Sequence, residues 1–413
     1  MLPRTKSSTP GEPKRALYVS ILAGFRKRVP MGIILAAICA ALWAYLLAGR
    51  GHFWLGSVND ALRPPAPQTW PSVAVIIPAR NEADVILASV GSLLRQNYRG
   101  QMAVIVVDDD SNDGTGALVT HQAESSSGRR MEVLASRGLP MDWTGKLWAL
   151  QQGIAFAEKS LGADYLLLTD ADIVHEPDTL EWLVGHAVAG DYVLTSLMAK
   201  LRCQSIVEWI HIPAFIYFFQ MLFPFAWVGR PDASTAAAAG GCMLVRADAL
   251  GRAGGIASVR NALIDDCSLA ARLKAVGPIW LGLTDRVRSI RRYDTFADAK
   301  QMITRSAYAQ LRYSPLLLVG TVVGMALTFV AGPLLAIFGA GLPQYLGAAV
   351  WLAMAVSFWP TLRSYRLSPL WALALPLIAC LYTFYTLISA YQYLRGRGGQ
   401  WKGRVHVNAP SLQ

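Results

Sequence analysis

A chain of 413 residues with 54% hydrophobic and 16% charged positions holds fewer charges than a soluble protein, in which about a quarter of residues are charged, so part of it must face lipid. The formal charge of +11 sits beside apolar runs, at Arg26, Lys27 and Arg28 before the first and at Arg395, Arg397, Lys402 and Arg404 after the last. That placement argues for anchoring at an anionic membrane surface and against nucleic-acid binding.

Residues 1–28 are polar and rich in Pro, Ser and Lys, which predicts a disordered basic tail. The uncharged run from Val29 to Ala48 predicts a transmembrane helix over 29–49; it is too long and lies too far into the chain to be read first as a signal peptide. The Pro-rich stretch 60–71 reads as an extended linker. Five scattered cysteines, Cys39, Cys203, Cys242, Cys267 and Cys380, include no close pair, so neither a zinc site nor a disulfide framework is indicated and a reducing, cytoplasm-facing domain fits.

Short β-prone runs at Val73 to Ile77, Met102 to Val107, Met131 to Ala135 and Tyr165 to Thr169 alternate with helical candidates at 84–96, 114–124 and 146–159. The alternation predicts an α/β domain over 72–313, with a mainly parallel sheet flanked by helices. The apolar stretch 206–227 lies between two acidic motifs that must share a site, so an interfacial or buried segment is preferred to a span. Three further apolar runs, Leu316 to Phe338, Leu342 to Trp359 and Leu370 to Leu394, predict membrane helices over 315–394, followed by a basic tail over 395–413. Arg312, Arg363 and Arg366 favour the cytoplasmic side, but both basic termini would then lie outside, so charge leaves the number and orientation of spans open.

In an open α/β sheet, ligands bind beyond the carboxyl ends of the strands. Three predicted strands end in polar runs: Pro78-Ala-Arg80-Asn81-Glu82, Asp108-Asp109-Asp-Ser-Asn-Asp-Gly-Thr115 and Asp170-Ala-Asp172. Turn and helix-cap roles are a competing reading for the second run. Asp170 and Asp172 are sharper, because two carboxylates one residue apart repel unless a cation lies between them. Oxygen donors with an incomplete shell point to Mg2+ or Mn2+ completed by phosphate.

These motifs, with Gly145-Lys146-Leu-Trp-Ala-Leu150 and Ile264-Asp265-Asp266 following in order, resemble the inverting GT-A glycosyltransferases of family 2, relatives of the cellulose, hyaluronan and ceramide glucosyl synthases. The resemblance covers about 70–315. It implies the nucleotide-diphospho-sugar transferase fold and a nucleotide-sugar site at Pro78, Arg80, Asn81, Glu82, Asp108, Asp109, Lys146 and Asp170, with a UDP-sugar as the expected donor. It further implies a metal on Asp172 and Asp170 and a catalytic base at Asp266 or Asp265, though both carboxylates could instead cap a helix running to Val276. The family's Q-x-x-R-W is degenerate here: Arg305 or Arg312 could approach the phosphates, or both could form the basic face of an interfacial helix. Its absence favours a single transfer over polymer synthesis. The run Gly240-Gly-Cys-Met-Leu-Val-Arg246 resembles the glycine-rich strand beneath the acceptor.

Trp143-Thr-Gly-Lys-Leu-Trp-Ala149, Thr235-Ala-Ala-Ala-Ala-Gly-Gly-Cys-Met243 and Gln310-Leu-Arg-Tyr-Ser-Pro315 resemble, more narrowly, the hopene-associated (HpnB-type) bacterial glycosyltransferases. That implies an integral protein of the bacterial inner membrane, with its catalytic domain facing the cytoplasm and a hopanoid-type lipid acceptor. Ceramide, a carotenoid or polyprenyl phosphate are alternative acceptors. A catalytically silent membrane scaffold is a further reading, and the clustered carboxylates argue against it.

Overall fold

The computed structural model describes residues 29–125, 128–396, 400–401 and 404–405; the tail expected over 1–28 and most of that over 395–413 lie outside the described residues. Eight strands form one sheet: β1 (Val73–Ala79), β2 (Met102–Asp108), β3 (Arg130–Ala135), β4 (Tyr165–Thr169), β5 (Ile173–His175), β6 (Leu194–Lys200), β7 (Cys242–Arg246) and β8 (Ile279–Ser289). Their spatial order is β3-β2-β1-β4-β7-β6-β8-β5. The first four are parallel, as the sequence predicts. Beyond them β7 runs antiparallel to β4 and β6, β8 is parallel to β6, and β5 is antiparallel to β8. The sheet is therefore mixed, its parallel part confined to one half.

Every residue of β1 is buried, as befits a central strand covered on both faces. Val73, Val75 and Ile77 join one hydrophobic cluster and Ala74 and Ile76 the other, the period-two alternation of a strand. Helices Ile86–Leu94 and Thr179–Ala189 cover the first face, while Gly145–Ser160 and Asp265–Lys274 cover the second. Gly153 lets the Gly145–Ser160 helix approach β1 and β2, since a Cβ there would stand 2.6 Å from Ile76 Cγ2 and 3.1 Å from Val107 Cγ2. Gly153→Val should therefore lower stability by about 1–3 kcal/mol through overpacking; an unchanged denaturation midpoint would contradict this close approach.

A third core is built from the apolar helices. Trp43, Phe329, Met354, Phe358, Leu375 and Tyr382 are buried in it. Five helices of the described residues are long and apolar enough to cross a membrane: Met31–Gly49, Ile206–Val228, Pro315–Phe338, Leu342–Ser364 and Pro369–Leu394. Four match the spans expected from sequence.

The fifth, opened by the Ile206–Leu222 helix, starts on a capping box in which Ser205 accepts from the Glu208 backbone and Glu208 accepts from the Ser205 backbone. Ala214, Tyr217 and Phe218 of this helix join the core of the apolar helices, while Ile216 joins the sheet core. Tyr217 Oη lies 2.8 Å from Ser357 Oγ. The helix is thus packed between the two halves of the molecule. Strands β6 and β7, which flank it in sequence, pair with each other in the sheet.

Candidate active site

The tips of β1, β2 and β4 meet at one edge, and two loops brace each other there. Arg80 donates to the backbone carbonyls of Asp109 and Asp110, and its guanidinium lies 3.7 Å from the Asp109 carboxylate. Asn81 adopts a left-handed backbone (φ 51°). Its N–H donates to Ser111 Oγ at 3.0 Å, and its side-chain oxygen accepts from the Asn112 N–H at 3.0 Å. Asp108 accepts from the Ser111 hydroxyl at 2.5 Å, and Asp113 accepts from both the Ala83 and Thr115 backbones at 3.0 Å. The turn reading of the acidic run is correct for Asp108 and Asp113, whose carboxylates order the loop. Asp109 is nearly inaccessible, at 1% exposure.

The chemistry concentrates around Lys146, in the first turn of the Gly145–Ser160 helix, which Thr144 caps by accepting from the Leu147 N–H. Its Nζ lies 2.9 Å from Asp170 Oδ1 and 3.2 Å from Asp265 Oδ2. The acidic motif before the 206–228 segment and the one after it thus bind a single ammonium group. Burial opposes the Lys146 charge, but Asp170, Asp265 and Asp266 outweigh it and raise its pKa. Asp170 is itself raised, first by burial and then by the neighbouring Asp172, against the pull of Lys146.

Asp266 opens the Asp265–Lys274 helix and accepts two backbone N–H groups, from Cys267 at 2.7 Å and from Gly240 at 3.0 Å. Burial, then the Asp265 charge, push it up to about 6. Neither Asp265 nor Asp266 is the N-cap, a position held by Ile264, and the helix ends at Lys274, short of Val276. Gly240 has a steric task here: a Cβ would come 3.3 Å from Lys146 Nζ and 3.4 Å from Asp266 Oδ2. Pro78, Lys146, Asp170, Gly240, Asp265 and Asp266 line one cleft.

Asp172 is held elsewhere, by residues that the sequence reading did not single out. Ser289 Oγ donates to its Oδ2 at 2.6 Å, and Arg291 Nε donates to the same oxygen at 3.2 Å. A terminal nitrogen of Arg291 also reaches both oxygens of Glu82, at 2.9 and 2.8 Å. Glu82 is 5% exposed and Asp172 8%, so Arg291 neutralises two buried carboxylates from different strand tips. Burial opposes the Arg291 charge, but Asp172 and Glu82 raise its pKa. The signal was the run Ser289-Ile-Arg-Arg-Tyr293 following the longest strand, a fourth tip at the same edge. Arg305 and Arg312 are exposed, and the Arg305 charge partly offsets the burial that raises Tyr293. Arg312 follows the short Ala307–Gln310 helix in a left-handed conformation (φ 52°).

The edge and its carboxylates sit on a GT-A fold, and residues 74–253 match the model of glycosyl transferase family 2. Among similar proteins are an N-acetylglucosaminyltransferase of Mesorhizobium japonicum, 36% identical over 144 residues (35% of this chain and 28% of the relative), and a 4,4'-diaponeurosporenoate glycosyltransferase of Staphylococcus haemolyticus, 32% identical over 106 residues (26% and 25%). The matched stretches thus span about a quarter of these relatives. Among solved structures, the mannosyltransferase PcManGT of Pyrobaculum calidifontis, in complex with GDP-Man and Mn2+, shares the fold with a TM-score of 0.51 at 20% identity, covering 87% of this chain and 99% of that one.

Proposed function

We propose that this chain is a membrane glycosyltransferase that moves a sugar from a nucleotide-sugar donor, UDP-linked, to a lipid acceptor with inversion at the anomeric carbon. The observation that carries the reading is Lys146, held between Asp170 on the diphosphate side and Asp265, next to Asp266, on the acceptor side. A carboxylate raised to about 6 is suited to take the proton of an attacking hydroxyl near neutral pH. Asp265 is engaged by Lys146 at 3.2 Å, so Asp266 takes this role. In the transfer, the acceptor oxygen bonds to the anomeric carbon as the bond to the diphosphate oxygen breaks. The hydroxyl proton goes to Asp266, and the electron pair leaves with the nucleoside diphosphate.

Asp170 and Asp172 would hold Mg2+ or Mn2+. Their oxygens are hard donors, and the rise in the Asp170 pKa caused partly by Asp172 is a repulsion that a divalent cation relieves. Among the described residues no cluster of three or more His, Cys, Asp or Glu side chains could hold a metal, so donor phosphates would complete the shell, the usual habit of these ions. Such a cation would offset charge on the departing diphosphate. Lys146 supplies a second, protein-borne positive charge beside it.

The five long apolar helices support a lipid setting, and the carotenoid-type acid in the name of the Staphylococcus haemolyticus relative supports a lipid acceptor. The hopanoid setting rests on the motif runs around Trp143, Thr235 and Gln310. With β6 and β7 paired in one sheet and both acidic motifs on Lys146, the 206–228 segment serves as a surface-lying helix on which the domain rests, facing the cytoplasm at the bacterial inner membrane.

The purified protein in detergent should release nucleotide from one member of a nucleotide-sugar panel only with Mn2+ or Mg2+ present, and Asp172→Ala should reduce that release at least about a hundredfold. No turnover with any donor would favour a silent scaffold. Lipid extracts from cells lacking the protein should miss one glycolipid; unchanged hopanoids alongside another lost species would overturn the hopanoid assignment.

A further inference from the structure

Gly240 and Gly241 lead into β7 beside the acidic cleft. Two glycines in succession leave the backbone too free to hold a carboxylate in place by themselves, and bonds from outside restrain them. The Cys242 N–H donates to the Ala239 carbonyl at 3.1 Å and closes a turn over 239–242. Ser196 on β6 takes the two ends of this turn, accepting from the Ala239 N–H at 2.9 Å and donating to the Cys242 carbonyl at 3.0 Å. The middle is held from two directions. The Gly240 N–H donates to Asp266 Oδ2 at 3.0 Å, and the Gly241 carbonyl accepts from Thr169 Oγ1 at 2.7 Å.

Thr169 ends β4, directly before Asp170, and is buried. Its backbone is already placed by pairing with Cys242 across the antiparallel ladder, so what the hydroxyl adds is the hold on Gly241. That hydroxyl has one proton, given to Gly241, and accepts at its other contact, 3.1 Å from His175 Nε2. His175 is buried as well, and burial pushes its pKa down to about 3, so the ring is neutral with its proton on Nε2. Its Nδ1 has no hydrogen-bond partner among the described residues; as an acceptor it is the less costly ring nitrogen to leave unpaired. The His175 backbone is fixed in turn by donation of its N–H to Ser92 Oγ at 3.0 Å. A continuous run of bonds therefore leads from His175 through Thr169 and the glycine turn to the carboxylate of Asp266.

We propose that Thr169, oriented by His175, is a positioning residue that holds the Gly240–Gly241 turn against Asp266 and so fixes the base relative to Asp170, the next residue along β4. Thr169 acts through the turn, since both of its hydroxyl bonds go to protein groups. A general base must keep an oxygen within hydrogen-bond reach of the hydroxyl that it deprotonates, and a misplacement of about 1 Å costs about a hundredfold in rate. The inference rests on the transfer reading above and goes beyond it by assigning what aligns the base with the donor carboxylate.

The test uses the full chain in detergent. Thr169→Val keeps the shape of the side chain and removes both hydrogen bonds, whereas Thr169→Ser keeps them. The valine variant should lower kcat about a hundredfold with the donor KM unchanged, the mark of an interaction that matters in the transition state, and the serine variant should recover most of the rate. The acid limb of the rate should also move above about 6 in the valine variant, because the Gly240 N–H that holds the Asp266 carboxyl down is loosened. The other groups beside Asp266, the Asp265 and Lys146 charges and the Cys267 N–H and thiol, are left in place. His175→Leu should shift rate and limb in the same direction by less. Amide exchange over 236–246 should rise in the valine variant and stay at the wild-type level in the serine variant, a readout that needs no donor. Unchanged exchange in the valine variant, an unchanged kcat and limb, or equal losses in the valine and serine variants would overturn the proposal; so would a lower melting temperature alone, which would mark a packing role. If the wild type turned over no donor, the transferase reading would fall, and amide exchange would still decide whether Thr169 holds the turn.

Discussion

Replacing Asp266 by Asn should lower the rate of sugar transfer by about 10²–10⁴-fold, the usual contribution of a positioned general base, while nucleotide binding stays within a few-fold of wild type. Gly240 and Cys267 donate to different Asp266 oxygens, so the substitution keeps one oxygen to accept from one of them while it removes the proton-accepting carboxylate. In the wild type, activity should fall as pH drops through about 6, because burial and Asp265 raise Asp266 to that value and its protonated form cannot act as base. The limb belongs to the Asp266 carboxyl. It should disappear in Asp266→Asn, and a full-rate Asn variant with an unchanged pH profile would remove Asp266 from the mechanism. The same shift sets a stability trend: the folded chain holds a proton there that the unfolded chain, near the ordinary carboxyl value of 3.8, has released. This group's contribution is therefore largest at low pH and is lost as pH rises from about 4 through about 6.

Arg291→Met should destabilise the domain by about 3–5 kcal/mol, the usual result of removing one member of a buried ionic group. Glu82 and Asp172 would be left as buried carboxylates without their shared guanidinium, and the desolvation of each would no longer be offset. The melting temperature should fall by several degrees in detergent. Mn2+ should recover part of the loss, since a cation on Asp172 replaces one of the two charges; ligand-linked stabilisation of this kind grows with metal concentration. An unchanged melting temperature would mean that the two carboxylates are already solvated. Destabilisation insensitive to Mn2+ would place Arg291 with Glu82 alone and detach it from the metal pair.

Much of the site was legible because its residues follow strand ends, where local pattern and chemistry coincide. The apolar runs before Pro78, Asp108 and Asp170 are long enough to read as buried strands, and each is followed by residues too polar for a core. Arg80 and Asn81 also brace the neighbouring loop, and Asp108 its own, contacts that sequence distance hides. Arg291 was missed for a related reason: β8 alternates apolar and charged residues near its end, so no uniformly apolar run marks it as a strand whose tip carries a site.

The sequence alone determined the class of fold, the parallel half of the sheet, four of the apolar helices and the acidic motifs, since all of these depend on periodicity and on residues adjacent along the chain. Only the tertiary structure decided that the other half of the sheet is antiparallel in part, that Lys146 joins Asp170 to Asp265 across 94 intervening positions of sequence, and that a basic groove lies against the end of the Leu342–Ser364 helix. Each of these depends on pairing between distant segments, and Coulomb attraction between groups a few ångströms apart is blind to their separation along the chain.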